Sequence, residues 1–258
     1  MTTALTCTDI HVDFDGFKAV NGVDLTLHTG EVHFLIGPNG AGKTTLVDAV
    51  TGLAAYTGSV TKDGTELRGK KVHHIARAGI GRTFQTATVF DNLTVAQNLD
   101  IAAGAHRTPW NLLRQRRTLP DAVTAVMEQI GLAGLADTPA GILAHGQKQW
   151  LEIGMLLVGD ADVLLLDEPI AGMGHEERET TGRLLHDIAA TRAVAVVEHD
   201  MDFMRAFASR VTVLHAGAVL AAGTVDEVSA DPRVQEVYLG TTSASPTDEM
   251  ETADAATA

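Results

Sequence analysis

Gly37-Pro38-Asn39-Gly40-Ala41-Gly42-Lys43-Thr44-Thr45 constrains this chain more than any other stretch. The segment Glu31 to Ile36 runs into it as a strand, and Thr44 to Gly52 leaves it with the helix-compatible residues Leu46, Val47, Ala49 and Val50. Between a strand and a helix, glycines let successive backbone N–H groups turn inward around phosphate oxygens, and the helix points its positive end at the same anion. Lys43 adds a charge for the β and γ phosphates, and the Thr44 hydroxyl can complete the coordination of Mg2+. The competing reading, an ordinary glycine-rich turn, does not explain why a strand and a helix flank the motif in that order. The stretch therefore implies a chain that binds MgATP and, given a suitable base, hydrolyses it.

A second element supplies that base. Val163-Leu164-Leu165-Leu166-Asp167-Glu168-Pro169 reads as a buried strand that ends in two carboxylates, at the sheet edge where α/β folds place ligands. Two adjacent acids repel unless a cation offsets them. Asp167 is expected to hold Mg2+ through its water shell and Glu168 to polarise the attacking water. By itself Asp-Glu-Pro could be a helix-start cap. A third buried run, Val194 to Val197, delivers Glu198-His199-Asp200 to the same edge, where His199 can donate toward a γ phosphate. Gln85, in Arg82-Thr83-Phe84-Gln85-Thr86, is placed to sense the metal or water only if its neighbours act as expected.

The rest of the chain reads as alternating strands and helices around a helical stretch. Leu5 to Phe14 and Gly22 to His28 are expected strands, Gly58 to Leu67 a hairpin about Asp63-Gly64, and Leu93 to Leu143 helical, with Val123, Val126, Met127 and Ile130 on one face. Helices over Gln147 to Leu157 and Glu176 to Ala190 alternate with the two buried strands. A hairpin over Val211 to Ala222 and a helical Asp226 to Leu239 follow. Residues 5–240 are expected to form the folded domain. Its α/β core with a β layer takes 5–86 and 147–240, its inserted helical subdomain takes 87–146, and an acidic, disordered tail of Thr, Ser, Ala, Asp and Glu takes 241–258. The net charge of −14 argues against nucleic acid as a partner. Arg107, Arg114, Arg116 and Arg117 around Trp110 are read as a solvated loop face. The single Cys7 cannot form an intrachain disulfide, no apolar run approaches the roughly 20 residues a spanning helix needs, and no signal-like N-terminus is present. His73-His74 lacks a third ligand at suitable spacing and is read as a solvated helix or loop.

The order of the phosphate loop, Gln85, Leu143-Ala144-His145-Gly146-Gln147, Leu166-Asp167-Glu168-Pro169 and Glu198-His199 resembles the ATP-binding subunit of an ABC transporter over residues 5–240. The resemblance implies a P-loop NTPase fold of ABC type: a mixed or parallel sheet core, an antiparallel β layer and an inserted helical subdomain. It implies two such subunits closing head to tail on two ATP molecules, at the cytoplasmic face of a membrane, with integral membrane permease subunits and, indirectly, a solute-binding protein. Each ATP would lie between the P-loop of one subunit and the Leu-Ser-Gly-Gly-Gln motif of the other, here Ala144, His145, Gly146 and Gln147. By the same carry-over Phe14 stacks on adenine, Gln85 faces the membrane subunits and contacts the metal, Glu168 is the catalytic base and His199 the switch histidine.

Gly79 to Gln85 and Val89 to Val95 resemble the importer group for branched-chain amino acids and urea. His145 to Met155, Ala171-Gly172-Met173 and Asp231 to Gly240 look most like a urea-transporter ATPase subunit. Urea is the first expected solute and a branched-chain amino acid the alternative. Ala144 and His145 depart from the family motif by removing a hydroxyl and adding a side chain, which suits a weaker composite site and a non-identical partner ATPase. Gly174 departs where many relatives carry Asp or Asn. A soluble, non-transport ABC ATPase would need a long heptad insertion or two ATPase units, and the chain has neither. A nucleotide-binding regulator that hydrolyses nothing has no use for an intact Glu168 and His199.

Overall fold

A computed structural model describes residues 2–84, 87–104 and 119–240. The expected basic loop at 107–117, the tail at 241–258 and Gln85 lie outside these residues. The first two strands, β1 (Thr3–Phe14) and β2 (Phe17–His28), form a hairpin closed by Asp15-Gly16. Both turn residues have positive φ, 51° and 93°, as a two-residue hairpin loop requires. Strand β1 also pairs with β4 (Thr57–Lys62), which turns through Asp63-Gly64 into β5 (Thr65–Glu66), giving an antiparallel sheet of order β2-β1-β4-β5.

The second sheet has the order β10-β9-β3-β8-β7-β6. Strands β3 (Val32–Ile36), β6 (Ile80–Arg82), β7 (Val163–Asp167), β8 (Ala193–Val197) and β9 (Arg210–His215) run parallel to their neighbours, and β10 (Ala218–Gly223) is antiparallel to β9. Every residue of β3, β7 and β8 is buried. Their unbroken apolar runs still divide with period two. Phe34, Ile36, Leu164, Leu166, Val194 and Val196 belong to one core, while Leu35, Val163, Leu165, Ala195 and Val197 belong to the other.

The second of these cores lies between the parallel sheet, helix α1 (Lys43–Val50) and the antiparallel layer. The first is covered by helices α3 (Val95–Ala103), α4 (Asp121–Gln129), α5 (His145–Val158), α6 (His175–Ala189) and α7 (Met201–Phe207), with Val228 and Val234 from the C-terminal stretch. Helix α4 buries Val123, Val126 and Met127, the face the sequence predicts. Helix α5 begins at His145, two residues before the expected Gln147, because the Gln147 side chain turns back to accept the Ala144 N–H at 3.1 Å. The C-terminal helical stretch divides into α8 (Val225–Ala230) and α9 (Pro232–Gly240), since Pro232 holds the residue before it in an extended conformation.

Three short elements fall outside the sequence expectations: α2 (Val72–Arg77), β6 and α7. Helix α2 buries only Ile75, so it carries no apolar period, and it holds the exposed pair His73-His74. A single polar contact joins the indole of α5 to α6, where Trp150 Nε1 donates to Thr181 Oγ1 at 2.8 Å. Thr181 is fully buried. Replacement by valine keeps its shape and leaves the indole N–H without that acceptor. Thr181→Val is expected to lower stability by about 1–2 kcal/mol, read as a reduced urea midpoint at constant m-value.

Candidate active site

Strands β3, β7 and β8 end side by side, and the residues that follow them gather at one edge of the sheet. After β3 the chain turns through Gly37, Gly40 and Gly42, all at positive φ, and enters α1 with no side-chain cap. The first-turn N–H groups of α1 are thus left for an anion. Two of these glycines are also required by packing: a Cβ on Gly37 would lie 2.2 Å from the Leu214 carbonyl oxygen, and one on Gly42 would lie 2.4 Å from that of Ala19. The Ala19 contact sets the β1–β2 hairpin beside the loop. At its tip Phe14 and Phe17 face each other across the turn and are 54% and 66% exposed, so the expected adenine-stacking position carries two aromatic rings rather than one.

Lys43 is buried and its Nζ donates to the carbonyls of Gly37, at 2.7 Å, and Pro38, at 3.1 Å. Burial pushes its pKa down, and the carboxylates of Glu168, Asp167 and Glu198 oppose that shift. Thr44 is exposed and Thr45 half-buried at the start of α1. Asp167, buried at the end of β7, has its carboxyl pushed up by burial and pulled back by Arg82. Arg82 supplies a cation to Asp167, the first of the two adjacent acids. Its guanidinium reaches Asp167 at 3.2 Å, bonds Asp48 on α1 with its other nitrogen, and lies over the Phe84 ring at 5.0 Å. The role of Arg82 is not legible in its motif, because an arginine's partner cannot be read from its own position.

Glu168 takes a left-handed backbone, φ 48°, which costs a non-glycine residue about 1 kcal/mol. Its N–H donates to Val197 O at 2.9 Å, which locks the turn after β7 to β8. His199 Nδ1 stands 3.4 Å from Glu168 Oε1, so the expected base and the expected switch histidine are in contact. Glu198, also passed over in the sequence, is buried and accepts from the N–H groups of Ile170, at 3.4 Å, and His199, at 3.2 Å. Burial raises its pKa.

The Ala144-His145-Gly146-Gln147 stretch faces a different neighbour, the turn after Glu168. A Cβ on Gly172 would lie 3.6 Å from the His145 ring, and one on Gly146 would meet Glu177 at 2.8 Å. Ala144 offers no hydroxyl to the first turn of α5, so the cap that Gln147 completes from one side stays open on the other. Among the described residues no cluster of three or more His, Cys, Asp or Glu could hold a metal. Asp167 and Thr44 offer hard oxygens at the phosphate loop and suit an Mg2+ ion whose remaining ligands are phosphate and water.

An ABC transporter family model matches residues 20–171, more than half of the chain. The chain belongs to the ATP-binding subunits of ABC transporters. It is an ATP hydrolase coupled to transport, and the family binds ATP and ADP, works with membrane permease components and dimerises. A second model, branched-chain amino acid ATP-binding cassette transporter, matches residues 218–244. The chain is 36% identical over 240 residues to the high-affinity branched-chain amino acid transport ATP-binding protein BraF of Pseudomonas aeruginosa, covering 88% of this chain and 94% of that one. To LivG of Escherichia coli, which carries the same description, it is 34% identical over 249 residues, covering 92% and 97%. The solved ADP conformation of MJ1267, an ATP-binding cassette of an ABC transporter, superposes with a TM-score of 0.81 at 30% identity, covering 93% of this chain and 100% of that one. These findings favour the alternative solute over urea. No helix among the described residues is long and apolar enough to cross a membrane.

One buried acid of the subunit is accounted for by neither the motifs nor the family match. Glu152, on α5, accepts the Thr88 N–H at 3.2 Å and is also held by the Phe84 N–H, so it grips the chain on both sides of Gln85. Burial outweighs these bonds and pushes its carboxyl from 4.5 up to about 7. The folded protein therefore binds this proton more tightly than the unfolded chain. That stabilisation is fully present below pH 4.5 and is lost as pH rises through about 7. Glu152→Gln is expected to remove a loss on the order of 3 kcal/mol between those limits, seen as a flatter dependence of Tm on pH from 5 to about 8.

Proposed function

We propose that this chain is the ATP-binding subunit of an importer for branched-chain amino acids, sitting on the cytoplasmic face of a membrane against its permease subunits. The observation that carries the solute reading is the near full-length likeness to BraF and LivG, together with the match of residues 218–244 to the branched-chain model. The urea reading rested on wording inside shared motifs, and it gives way to this one. A solute-binding protein would deliver the amino acid to the permease.

In this reading ATP lies on Gly37 to Thr45, with adenine against Phe14 and Phe17 and the phosphates on the first-turn N–H groups of α1. Lys43 leaves the carbonyls of Gly37 and Pro38 for the β and γ phosphates. Thr44, Asp167 through a water shell, and Gln85 would hold Mg2+, which would supply charge neutralisation at the phosphates. Glu168 takes a proton from the water that attacks the γ phosphate, and His199 orients that carboxylate and donates toward the phosphate. The second ATP-binding subunit closes the site with its own Ser-Gly-Gly-type motif. In return this chain offers Ala144 to Gln147, which lacks one hydroxyl donor and makes the weaker of the two composite sites.

Glu168→Gln tests the chemistry. It is expected to lower ATP turnover by about 100-fold or more while nucleotide affinity is retained, measured by phosphate release and by equilibrium binding. Uptake tests the solute. Radiolabelled leucine, and not urea, is expected to lose transport in a strain lacking this chain and to regain it with the unaltered gene but not with Glu168→Gln. Loss of urea uptake alone would restore the first reading.

A further inference from the structure

Arg178, on the first turns of α6, bonds two segments that belong to different parts of the site. Its Nε donates to the Met173 carbonyl at 3.1 Å, in the turn that follows Glu168. Its Nη1 donates to Asp200 Oδ2 at 2.6 Å, a short charge-assisted bond to the residue after His199. Asp200 is itself held, because its other oxygen accepts the Phe203 N–H at 2.9 Å and caps α7. His199 reaches back to Glu168, and the contacts close a ring: Glu168, the turn at 170–174, Arg178, Asp200, His199 and Glu168 again.

The same turn carries a second set of contacts on its other side. Gly172 and Met173 lie against His145 and Gly146, and Glu177, the residue before Arg178, fills the space where a Gly146 side chain would be. The Glu177 carboxylate also accepts the Gly174 N–H at 3.0 Å. Gly174 has no side chain of its own to reach a neighbour. The first turn of α6 therefore adds two polar contacts to this turn beside the Ile170 bond to Glu198, with Glu177 facing the His145-Gly146 motif and Arg178 facing the His199 loop.

We propose that Arg178 is a positioning residue that ties the turn at 170–174 to the loop carrying His199, so that the Glu168–His199 pair is held in register with the turn on which this chain's His145-Gly146 motif packs. This rests on the roles given to Glu168 and His199 above. In a head-to-tail pair the Glu168–His199 pair serves one ATP and the His145-Gly146 motif serves the other. Arg178 then links one subunit's own nucleotide to the one it shares with its partner. Lysine is a poor replacement, since its one nitrogen cannot stand at the two positions, Nε and Nη1, from which the planar fork meets the carbonyl and the carboxylate.

The test uses the full chain in its transporter complex with MgATP. Arg178→Ala is expected to lower kcat by about tenfold with KM for ATP unchanged, because displacing the pair slows the chemical step and leaves the P-loop alone. Arg178→Lys should recover less than half of that loss. Asp200→Asn keeps an oxygen to cap α7, so it serves as the folding control. It should match Arg178→Ala, and the double variant should be no slower than either, since both remove one interaction. An unaltered kcat in Arg178→Ala beside an inactive Glu168→Gln would overturn this proposal alone, as would losses that multiply in the double variant. Full turnover in Glu168→Gln would overturn the reading of the catalytic pair and this proposal with it.

Discussion

Burial of strands β3, β7 and β8 on both faces is the constraint from which the site follows. A strand with an apolar layer on each side has no place along its length for a charge, so its polar residues are pushed to its ends. All three strands run the same way and end at one edge, and each is followed there by the residues that carry chemistry: the glycine loop with Lys43, Asp167 with Glu168, and Glu198 with His199. The two cores that flank the sheet differ in what covers them. An antiparallel layer and α1 close one, and the helices of residues 95–207 close the other, so the site sits where a β layer and a helical layer meet at the sheet edge.

Holding so many acids together is the electrostatic problem of that edge. Asp167, Glu168 and Glu198 lie near the ammonium of Lys43, which donates to the carbonyls of Gly37 and Pro38 in its own loop. Arg82 carries part of the load for Asp167 and spreads it to Asp48 on α1. Glu198 is satisfied by backbone N–H groups instead, which lets a buried carboxyl act as a brace between Ile170 and His199. Each acid also has a partner of its own kind, Arg82 for Asp167, the His199 ring for Glu168 and backbone N–H groups for Glu198, while all three share the field of Lys43.

The long elements were legible in the sequence. Strands Val163–Asp167 and Ala193–Val197 came from apolar runs, the β4–β5 hairpin from Asp63-Gly64, and the α4 face from the spacing of Val123, Val126 and Met127. The short elements were not, since α2 buries one residue and β6 has three, too few to show a period. Among site residues the loop, Asp167, Glu168 and His199 were named from sequence because each belongs to a local pattern. Arg82, Glu152, Glu198 and Arg178 were given no role, because each has a deciding partner far off in sequence: Asp167 for Arg82, Thr88 for Glu152, Ile170 for Glu198 and Asp200 for Arg178.

The sequence by itself determined the chemistry this chain can perform, since glycine spacing, a lysine and a pair of terminal acids act through backbone geometry and charge that neighbours in sequence supply. It also determined the family, through the order of those motifs. It did not determine the solute, for which likeness to whole relatives is the support. Tertiary structure alone decided which side chains neutralise the acids, which glycines are required by packing against Leu214 and Ala19, and that the His145 motif and the His199 loop share a turn. The physical reason is range: a backbone conformation is set by adjacent residues, whereas an ion pair or a close approach exists only once distant segments have been brought together.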